Sequence, residues 1–295
     1  MTDFRMKRLR PSPAISIPLH TVSHGTFPAS PPVVFIHGLL GSSTNFRTIQ
    51  LATAKHRSTL ALDLRNHGSS PHAPDASTLD DLALDVAHTL ESRGGAGVAC
   101  DVLGHSLGGK VAMRLAQLRP ELLRTLIVVD IAPMQYDVSS EGWKSVQGVV
   151  AAASSLDPAA YATRGEVDKA LAGLVPEQGV RSFVAQNLVP REGGGYKWRL
   201  GWAGILSSMH NFAAWPGCEE EGHHPKSATN TISTHIIRGS KSSYVLDKHL
   251  PLFHAQFPGA LVHTVDAGHW VHAENPKDFW RVLSSILALS PVGAP

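Results

Sequence analysis

The stretch of sequence that decides the fold is Cys100-Asp101-Val102-Leu103-Gly104-His105-Ser106-Leu107-Gly108-Gly109-Lys110. It begins with a short, mostly apolar run typical of a buried strand, and an apolar helical pattern follows as far as Leu118. Between strand and helix, the pattern Gly-x-Ser-x-Gly around Ser106 is typical of a nucleophile elbow, a tight turn that exposes a serine. Because glycine has no Cβ, Gly104 and Gly108 let the strand and the helix pack closely around this turn. We therefore expect Ser106 to be a nucleophile.

Strands and helices alternate on both sides of this turn. Strands are predicted at 32–37, 58–64, 100–103, 125–130, 234–238 and 260–265, and helices at 45–55, 79–92, 110–118, 250–256 and 276–289. Such alternation predicts an α/β fold with a mostly parallel, doubly wound sheet, right-handed crossovers and helices on both faces. In sheets of this kind, ligand chemistry is expected at the carboxyl ends of the strands.

A helical insertion interrupts the sheet pattern between Asp130 and the strand near Thr234. This part of the chain shows helical stretches at 146–153 and 167–174 and no convincing strand. We predict an N-terminal extension, a core in two pieces and a helical cap, at 1–30, 31–133 with 231–295, and 134–230 respectively. The cap holds four of the six tryptophans, which either give an apolar surface to the site beneath or form a core of its own.

Composition excludes several classes of protein. The net charge of the 295 residues is +2 and the basic residues are dispersed, so we expect no nucleic-acid partner. Apolar residues make up 43% and charged residues 17%, which argues against disorder. No apolar run approaches the roughly 18 residues that a membrane-spanning helix needs. The oligomeric state is left open.

The two cysteines, Cys100 and Cys218, are too far apart in the chain to form a disulfide framework, which fits a reducing compartment. The basic segment 1–13 is followed by no apolar stretch of the kind found in secretory signals. We therefore expect a cytoplasmic protein, with the mitochondrion as the alternative.

A serine needs a positioned base, because it is a weak nucleophile at its free pKa. In this kind of fold the expected chain order is serine, then aspartate or glutamate, then histidine. His269 follows the last predicted strand, and Gly268 allows a turn that brings the imidazole over the sheet edge. We therefore predict His269 as the base. The other histidines near motifs or in periodic segments are expected to be structural, packed or on the surface: His37, His105, His254, His263 and His272.

The acid of the triad is harder to place, because the loop at 239–244 after the penultimate strand contains no carboxylate. Asp63 and Asp101 precede the serine and break the expected order. Asp247 lies well into the next segment. Asp266 is only three residues before the histidine and is expected to point away from its ring.

Asp130 remains, at the carboxyl end of the strand that follows the nucleophile's helix. Neighbouring strands lie about 4.8 Å apart, so its carboxylate should share the sheet edge with Ser106 and reach the loop of His269. We assign Asp130 as the acid that fixes the tautomer of the imidazole and stabilises the imidazolium. Alternatively, Asp130 caps the residues after it, and Asp247 or Asp266 is the acid.

Backbone amides are expected to form an oxyanion hole. One comes from Leu107, the residue after the nucleophile, and the other from Leu39 or Leu40 in the turn after the first predicted strand. Of these two we favour Leu39. We expect no metal site, because Cys218, His223 and His224 are only three candidate ligands without paired spacing.

Together, these motifs resemble the α/β-hydrolase superfamily. The resemblance runs from about Val33 to Leu289, and it is strongest to the branch that contains abhydrolase-domain-containing protein 11, small bacterial acyl esterases and yeast ethanol acetyltransferases. The motifs are His37-Gly38-Leu39-Leu40-Gly41-Ser42, Asp63-Leu64-Arg65-Asn66-His67-Gly68, Gly104 to Lys110, Asp130-Ile131-Ala132-Pro133, Gly239 to Val245 and Gly268-His269-Trp270-Val271-His272.

The resemblance implies hydrolysis of carboxylic esters or thioesters through an acyl-serine intermediate, without metal or cofactor. In that branch the acid lies on the strand after the nucleophile, which Asp130 matches. Another acid proposed for the family follows the cap's Trp198-Arg199 pair, where this chain has no carboxylate at 200–202.

We therefore predict a serine hydrolase with a small-molecule ester substrate. Two alternatives stay open. An acyltransferase to an alcohol would use the same triad, and a hydrolase-fold binding protein would use the capped cavity without turnover.

Overall fold

The computed structural model describes residues 16–25, 31–94, 98–216 and 232–289. The strands are β1 (Thr21–His24), β2 (Val33–Ile36), β3 (Thr59–Leu62), β4 (Cys100–His105), β5 (Leu123–Val129), β6 (Leu188–Pro190), β7 (Tyr196–Trp198), β8 (Ser233–Gly239) and β9 (Leu261–Val265). The α-helices are α1 (Arg47–Ala54), α2 (Leu79–Gly94), α3 (Leu107–Leu118), α4 (Glu141–Ser155), α5 (Arg164–Ala172), α6 (Gln178–Ala185), α7 (Trp202–Ala213), α8 (Leu250–Gln256), α9 (Val271–Glu274) and α10 (Pro276–Ile286). Short 3-10 helices lie at Ser43–Phe46, Pro120–Leu122, Pro158–Ala160 and Asp247–His249.

Seven strands form one sheet in the order β1-β3-β2-β4-β5-β8-β9. The β1–β3 pair is antiparallel and every other pair in this sheet is parallel, which confirms the predicted mostly parallel sheet. The ladder continues past the strand ends, because Ser106 donates its backbone N–H to Val129 and Asp130 donates its own to Ile237. The residues after β4 and β5 therefore start side by side at one edge of the sheet.

Both faces of the sheet are covered. On β2, Val34 and Ile36 pack in the cluster that contains residues of α2 and α3, whereas Val33 and Phe35 pack in the cluster that contains residues of α1 and α10. All four side chains are fully buried. A parallel strand buried on both faces reads as a continuous apolar run, which is why the sequence at 32–37 predicted it.

The clearest differences from the prediction concern β1, the β6–β7 hairpin and the start of α3. The range 1–30, assigned to an N-terminal extension, contributes the antiparallel edge strand β1. The cap range contains the hairpin of β6 and β7, although the sequence showed no convincing strand there. Helix α3 begins at Leu107 instead of Lys110, because the turn of the elbow is confined to Ser106.

Between β5 and β8, the residues that the structure describes form α4 to α7, a short 3-10 helix and the β6–β7 hairpin. Both expectations for the cap tryptophans apply: Trp143 lines the cavity over the sheet edge, and Trp198 packs on a small cluster of the cap itself. The division of the chain at 133/134 and 230/231 stays a prediction. None of the helices within the described ranges has the length and apolar character to cross a bilayer.

Candidate active site

The structure brings Ser106, Asp130 and His269 together at the carboxyl edge of the sheet. Ser106 follows β4, Asp130 follows β5, and His269 lies in the loop after β9. The Nε2 atom of His269 is 3.1 Å from the Ser106 hydroxyl, and its Nδ1 atom is 2.8 Å from the Asp130 carboxylate. Because an ionised carboxylate only accepts hydrogen bonds, Nδ1 donates, which leaves Nε2 of the neutral ring free to accept the hydroxyl proton.

The backbone of Ser106 has φ 54° and ψ −120°, a left-handed conformation that is uncommon for a residue with a side chain. Two neighbouring glycines make this turn possible. A Cβ on Gly104 would collide with the carbonyl oxygen of Gly108, and a Cβ on Gly108 would collide with that of Ile36. The glycines therefore hold β4, α3 and β2 close enough to raise the serine above the sheet.

The carboxylate of Asp130 is fully buried and surrounded by donors. Its Oδ1 atom accepts the Gly239 backbone N–H at 3.1 Å, and its Oδ2 atom accepts from the Ser242 hydroxyl as well as from His269. The end of β8 and the loop after it, where a carboxylate was first sought, thus supply hydrogen-bond donors to the Asp130 carboxylate. Sequence reasoning missed Ser242, although the serines of that loop could have indicated a donor set.

The two competing aspartates lie in surface ion pairs. Asp247 pairs with Arg238 at 2.6 Å, and Asp266 pairs with Lys241 at 2.8 Å. Their side chains are 83% and 70% exposed, whereas the carboxylate facing His269 belongs to Asp130. The geometry supports Asp130 as the partner of the imidazole.

The turn from Gly38 to Gly41 lies beside the elbow, and Gly41 donates its N–H to the Gly38 carbonyl at 3.0 Å. Of the two amides considered for the oxyanion hole, that of Leu40 donates to His67 Nε2 at 3.1 Å. The amide of Leu39 is thus the better candidate. Leu107 is the first residue of α3, a position whose N–H group has no intrahelical partner.

Two further side chains hold the His269 ring and main chain. Tyr244 stacks on the imidazole with ring centroids 4.1 Å apart. His105 lies 2.9 Å from the His269 carbonyl oxygen, to which its Nε2–H donates. Burial and, secondarily, the neighbouring His269 keep the pKa of His105 well below its usual value, so this ring stays neutral. His105 is therefore a structural neighbour, as the sequence suggested.

A cavity of about 320 Å³ opens onto Ser106 and His269. Its walls are mainly apolar, and the cap contributes Trp143, Val146, Val149, Phe183 and Phe212, with Trp270 beside the histidine. The cavity can thus hold an apolar group next to the serine hydroxyl. Within the part of the chain that the structure describes, no three metal-binding side chains cluster. Cys218, His223 and His224 lie outside the described residues.

The chain is similar to known proteins in both sequence and fold. Residues 31–276 match the family model described as alpha/beta hydrolase fold. The chain is 36% identical over 266 residues to a Mus musculus protein named sn-1-specific diacylglycerol lipase ABHD11, across 88% of this chain and 81% of the mouse protein. It is 31% identical to a Saccharomyces cerevisiae protein named probable alcohol acetyltransferase, across 84% of this chain and 74% of the yeast protein.

A solved structure described as a marine microorganism esterase shares the whole architecture. Its TM-score is 0.82 with 31% sequence identity, and the match covers 92% of this chain and 99% of that chain. Fold, family model and relatives agree across most of the sequence. The chain therefore belongs to the α/β-hydrolase family.

Proposed function

We propose that the protein is a serine hydrolase that cleaves carboxylic esters or thioesters through an acyl-serine intermediate. The observation that carries the proposal is the hydrogen-bonded chain from Ser106 through His269 to Asp130, with the serine facing an apolar cavity. Ser106 is the nucleophile, His269 is the general base, and Asp130 is the acid that orients the imidazole.

In the first half of the reaction, Ser106 Oγ bonds to the substrate's carbonyl carbon while His269 Nε2 takes the hydroxyl proton. The carbonyl oxygen becomes an oxyanion, which the backbone N–H groups of Leu39 and Leu107 stabilise. When this intermediate collapses, the carbon–oxygen or carbon–sulfur bond breaks. The leaving alcohol or thiol takes the proton from His269, and the acyl group stays on Ser106.

In the second half, water attacks the acyl carbon and gives a proton to His269. Collapse of the new tetrahedral intermediate releases the carboxylic acid, and the proton returns to Ser106. Asp130 stays ionised throughout: it holds the imidazole tautomer and stabilises the imidazolium.

The cavity and the relatives support a class of substrate. The cavity walls are mainly apolar, and the mouse relative is named as a lipase that acts on diacylglycerol. We infer a neutral ester whose acyl chain lies between Trp143 and Phe212, so the activity belongs to lipid or acyl-ester metabolism.

A second outcome of the same acyl-enzyme is transfer to an alcohol instead of water. The name of the yeast relative, probable alcohol acetyltransferase, supports this second candidate function. Adding ethanol during turnover distinguishes the two: a transferase forms ethyl ester in preference to free acid, whereas a hydrolase releases mainly acid.

The decisive experiment is hydrolysis of p-nitrophenyl esters from acetate to palmitate, combined with labelling by a fluorophosphonate. We expect the wild type to turn over and to label, Ser106→Ala to do neither, and the exposed-serine control Ser139→Ala to match the wild type. A wild type that neither hydrolyses any ester nor labels would instead favour a binding protein.

We also propose that the protein acts in the cytoplasm, with the mitochondrion as the alternative. The support is the pair of distant cysteines, which suits a reducing compartment. Fractionation of cells that express a tagged full-length chain separates the two.

A further inference from the structure

Leu40, in the turn beside the elbow, is held by hydrogen bonds at both its amide and its carbonyl. Its backbone N–H donates to Nε2 of His67 at 3.1 Å. Its carbonyl oxygen accepts from Nδ2 of Asn187 at 2.8 Å. His67 belongs to the loop after β3, whereas Asn187 belongs to the cap, directly before β6. Two distant parts of the chain thus meet on one residue.

Leu40 needs such support because its backbone has φ 60°. It occupies the third position of a turn closed by the Gly41 N–H and the Gly38 carbonyl. A positive φ at this position is typical of a type II turn and strongly favours glycine. A leucine there is disfavoured by its own Cβ, so contacts elsewhere must hold the conformation.

His67 is built as a hydrogen-bond acceptor. Its side chain is buried, and Nδ1 lies 2.9 Å from the Arg65 carbonyl, to which it donates. Nε2 is therefore the unprotonated nitrogen and accepts the Leu40 N–H. Burial, reinforced by the nearby His37, lowers the pKa of His67 to about 3, so the ring remains an acceptor at neutral pH.

Asn187 is built as a donor. It is only 2% exposed, and its amide nitrogen also donates to the Val184 carbonyl at 3.2 Å, which fixes the side chain to the end of α6. The neighbouring Gln186 is exposed and accepts from Asn45 instead. The cap therefore reaches the turn through one buried side chain, with an exposed neighbour as a natural comparison.

We propose that His67 and Asn187 are positioning residues that fix the strained Leu40 and thereby aim the adjacent Leu39 amide at the oxyanion. The inference rests on the proposed serine hydrolase activity. Through Asn187, the cap would then help to stabilise the transition state, in addition to lining the cavity.

The test compares His67→Leu and Asn187→Leu with the conservative variant His67→Gln and the control Gln186→Leu. Complete loss of an oxyanion donor lowers kcat about 10²–10³-fold, so a misaligned donor should lower it about 10–100-fold with little change in KM. His67→Gln keeps an acceptor near the Nε2 position and should restore much of the activity. Gln186→Leu should match the wild type.

A trifluoromethyl ketone separates positioning from general loosening, because its adduct with Ser106 carries the oxyanion. We expect its affinity to fall by the same factor as kcat/KM in both leucine variants. Variants with lowered thermal midpoints but wild-type kcat and ketone affinity would overturn the inference.

The folding of each variant is checked by circular dichroism. If His67→Leu does not fold, His67→Gln and Asn187→Leu decide the question. If the proposed hydrolase function is wrong, the result is different: the wild type then hydrolyses no ester and is not labelled by fluorophosphonate. Wild-type turnover that depends on Ser106, together with unaffected leucine variants, would reject only the positioning role.

Discussion

At the residue scale, the carboxylate of Asp130 is the part of the site that most needs its surroundings. It is fully buried, and besides His269 it accepts hydrogen bonds from the backbone N–H of Gly239, at the end of β8, and from the hydroxyl of Ser242, in the loop that follows. If one partner of a buried, hydrogen-bonded pair is removed, the other stays buried without a partner, which destabilises the folded protein.

Asp130→Asn should lower kcat about 10⁴-fold, because an amide facing Nδ1 no longer fixes the productive imidazole tautomer. The matched control is Asp266→Asn, which removes a carboxylate close to His269 in sequence but exposed in the structure. The kcat for the best p-nitrophenyl ester checks both variants. Near-full activity of Asp130→Asn, with a collapse in Asp266→Asn, would assign the acid to Asp266.

The sequence predicted the roles of Ser106 and His269 from local signals, namely glycines around a turn and the order of residues along the chain. Asp130 was predicted because the other aspartates were excluded. That prediction also required neighbouring strand ends to lie side by side, so that Asp130 could reach His269. The hydrogen-bond partners of Ser242, His67 and Asn187 could not be predicted in this way. Each of these side chains bonds to a residue far away in the chain, so its local sequence does not identify its partner.

At the scale of elements, Lys110 joins the nucleophile's helix α3 to the end of the cap helix α7. Its buried ammonium donates to the carbonyls of Phe212, Ala213 and Ala214 at 3.1, 2.9 and 2.9 Å. It also lies 4.9 Å from the ring centroid of Tyr136. A cation at this end of a helix satisfies the last carbonyls and interacts favourably with the helix dipole.

Lys110→Met should lower the free energy of unfolding by about 2–4 kcal/mol, because several buried carbonyls lose a charged donor at once. Lys144→Met removes an exposed lysine paired with Glu141 and should change stability by less than about 0.5 kcal/mol. Denaturant unfolding measures both. Equal stability of the two variants would mean that the ammonium does not anchor α7.

The cap helix α4 should set the preferred acyl length. Val149 lines the cavity, so Val149→Phe fills part of it and should lower kcat/KM for long-chain esters about tenfold or more relative to acetate. The p-nitrophenyl series gives the ratio. Gln147→Phe adds the same ring on the exposed side of α4 and serves as the control. An unchanged length profile in Val149→Phe would show that acyl chains bind elsewhere.

Elements with a strong local pattern were predicted, and elements without one were not. Strands β1 and β2 have four residues each, but β2 is buried on both faces and reads as an apolar run, whereas β1 is half-exposed and shows no such run. Strands β6 and β7 have three residues each, too few for a period of two to emerge. Their existence depends on tertiary pairing, which local propensity does not record.

At the scale of the whole molecule, several buried histidines make stability depend on pH. Burial lowers the pKa of His37, His67, His105 and His272, in the last case to about 4. Between the unfolded pKa of about 6.5 and these lower values, the unfolded chain binds protons that the folded chain does not. Stability is therefore fully present above about pH 6.5 and decreases as the pH falls.

We expect the free energy of unfolding to drop between pH 7 and pH 5, by up to about 1.4 kcal/mol per pH unit for each such histidine. Denaturant titrations across this range measure the slope. His272→Phe should flatten it, because the buried imidazole is then absent from both states. A slope unaffected by His272→Phe would mean that this ring titrates normally in the folded protein.

Three residues of the site and its supporting turn, Leu40, Ser106 and Asp130, have positive φ although none is glycine. If each residue were chosen only to suit its own backbone conformation, all three positions would be glycine. The resulting chain would have less backbone strain, but it would lose both the nucleophile Ser106 and the acid Asp130. A side chain kept at a backbone conformation that favours glycine therefore indicates a functional role. A sequence chosen for folding stability alone would not contain such residues.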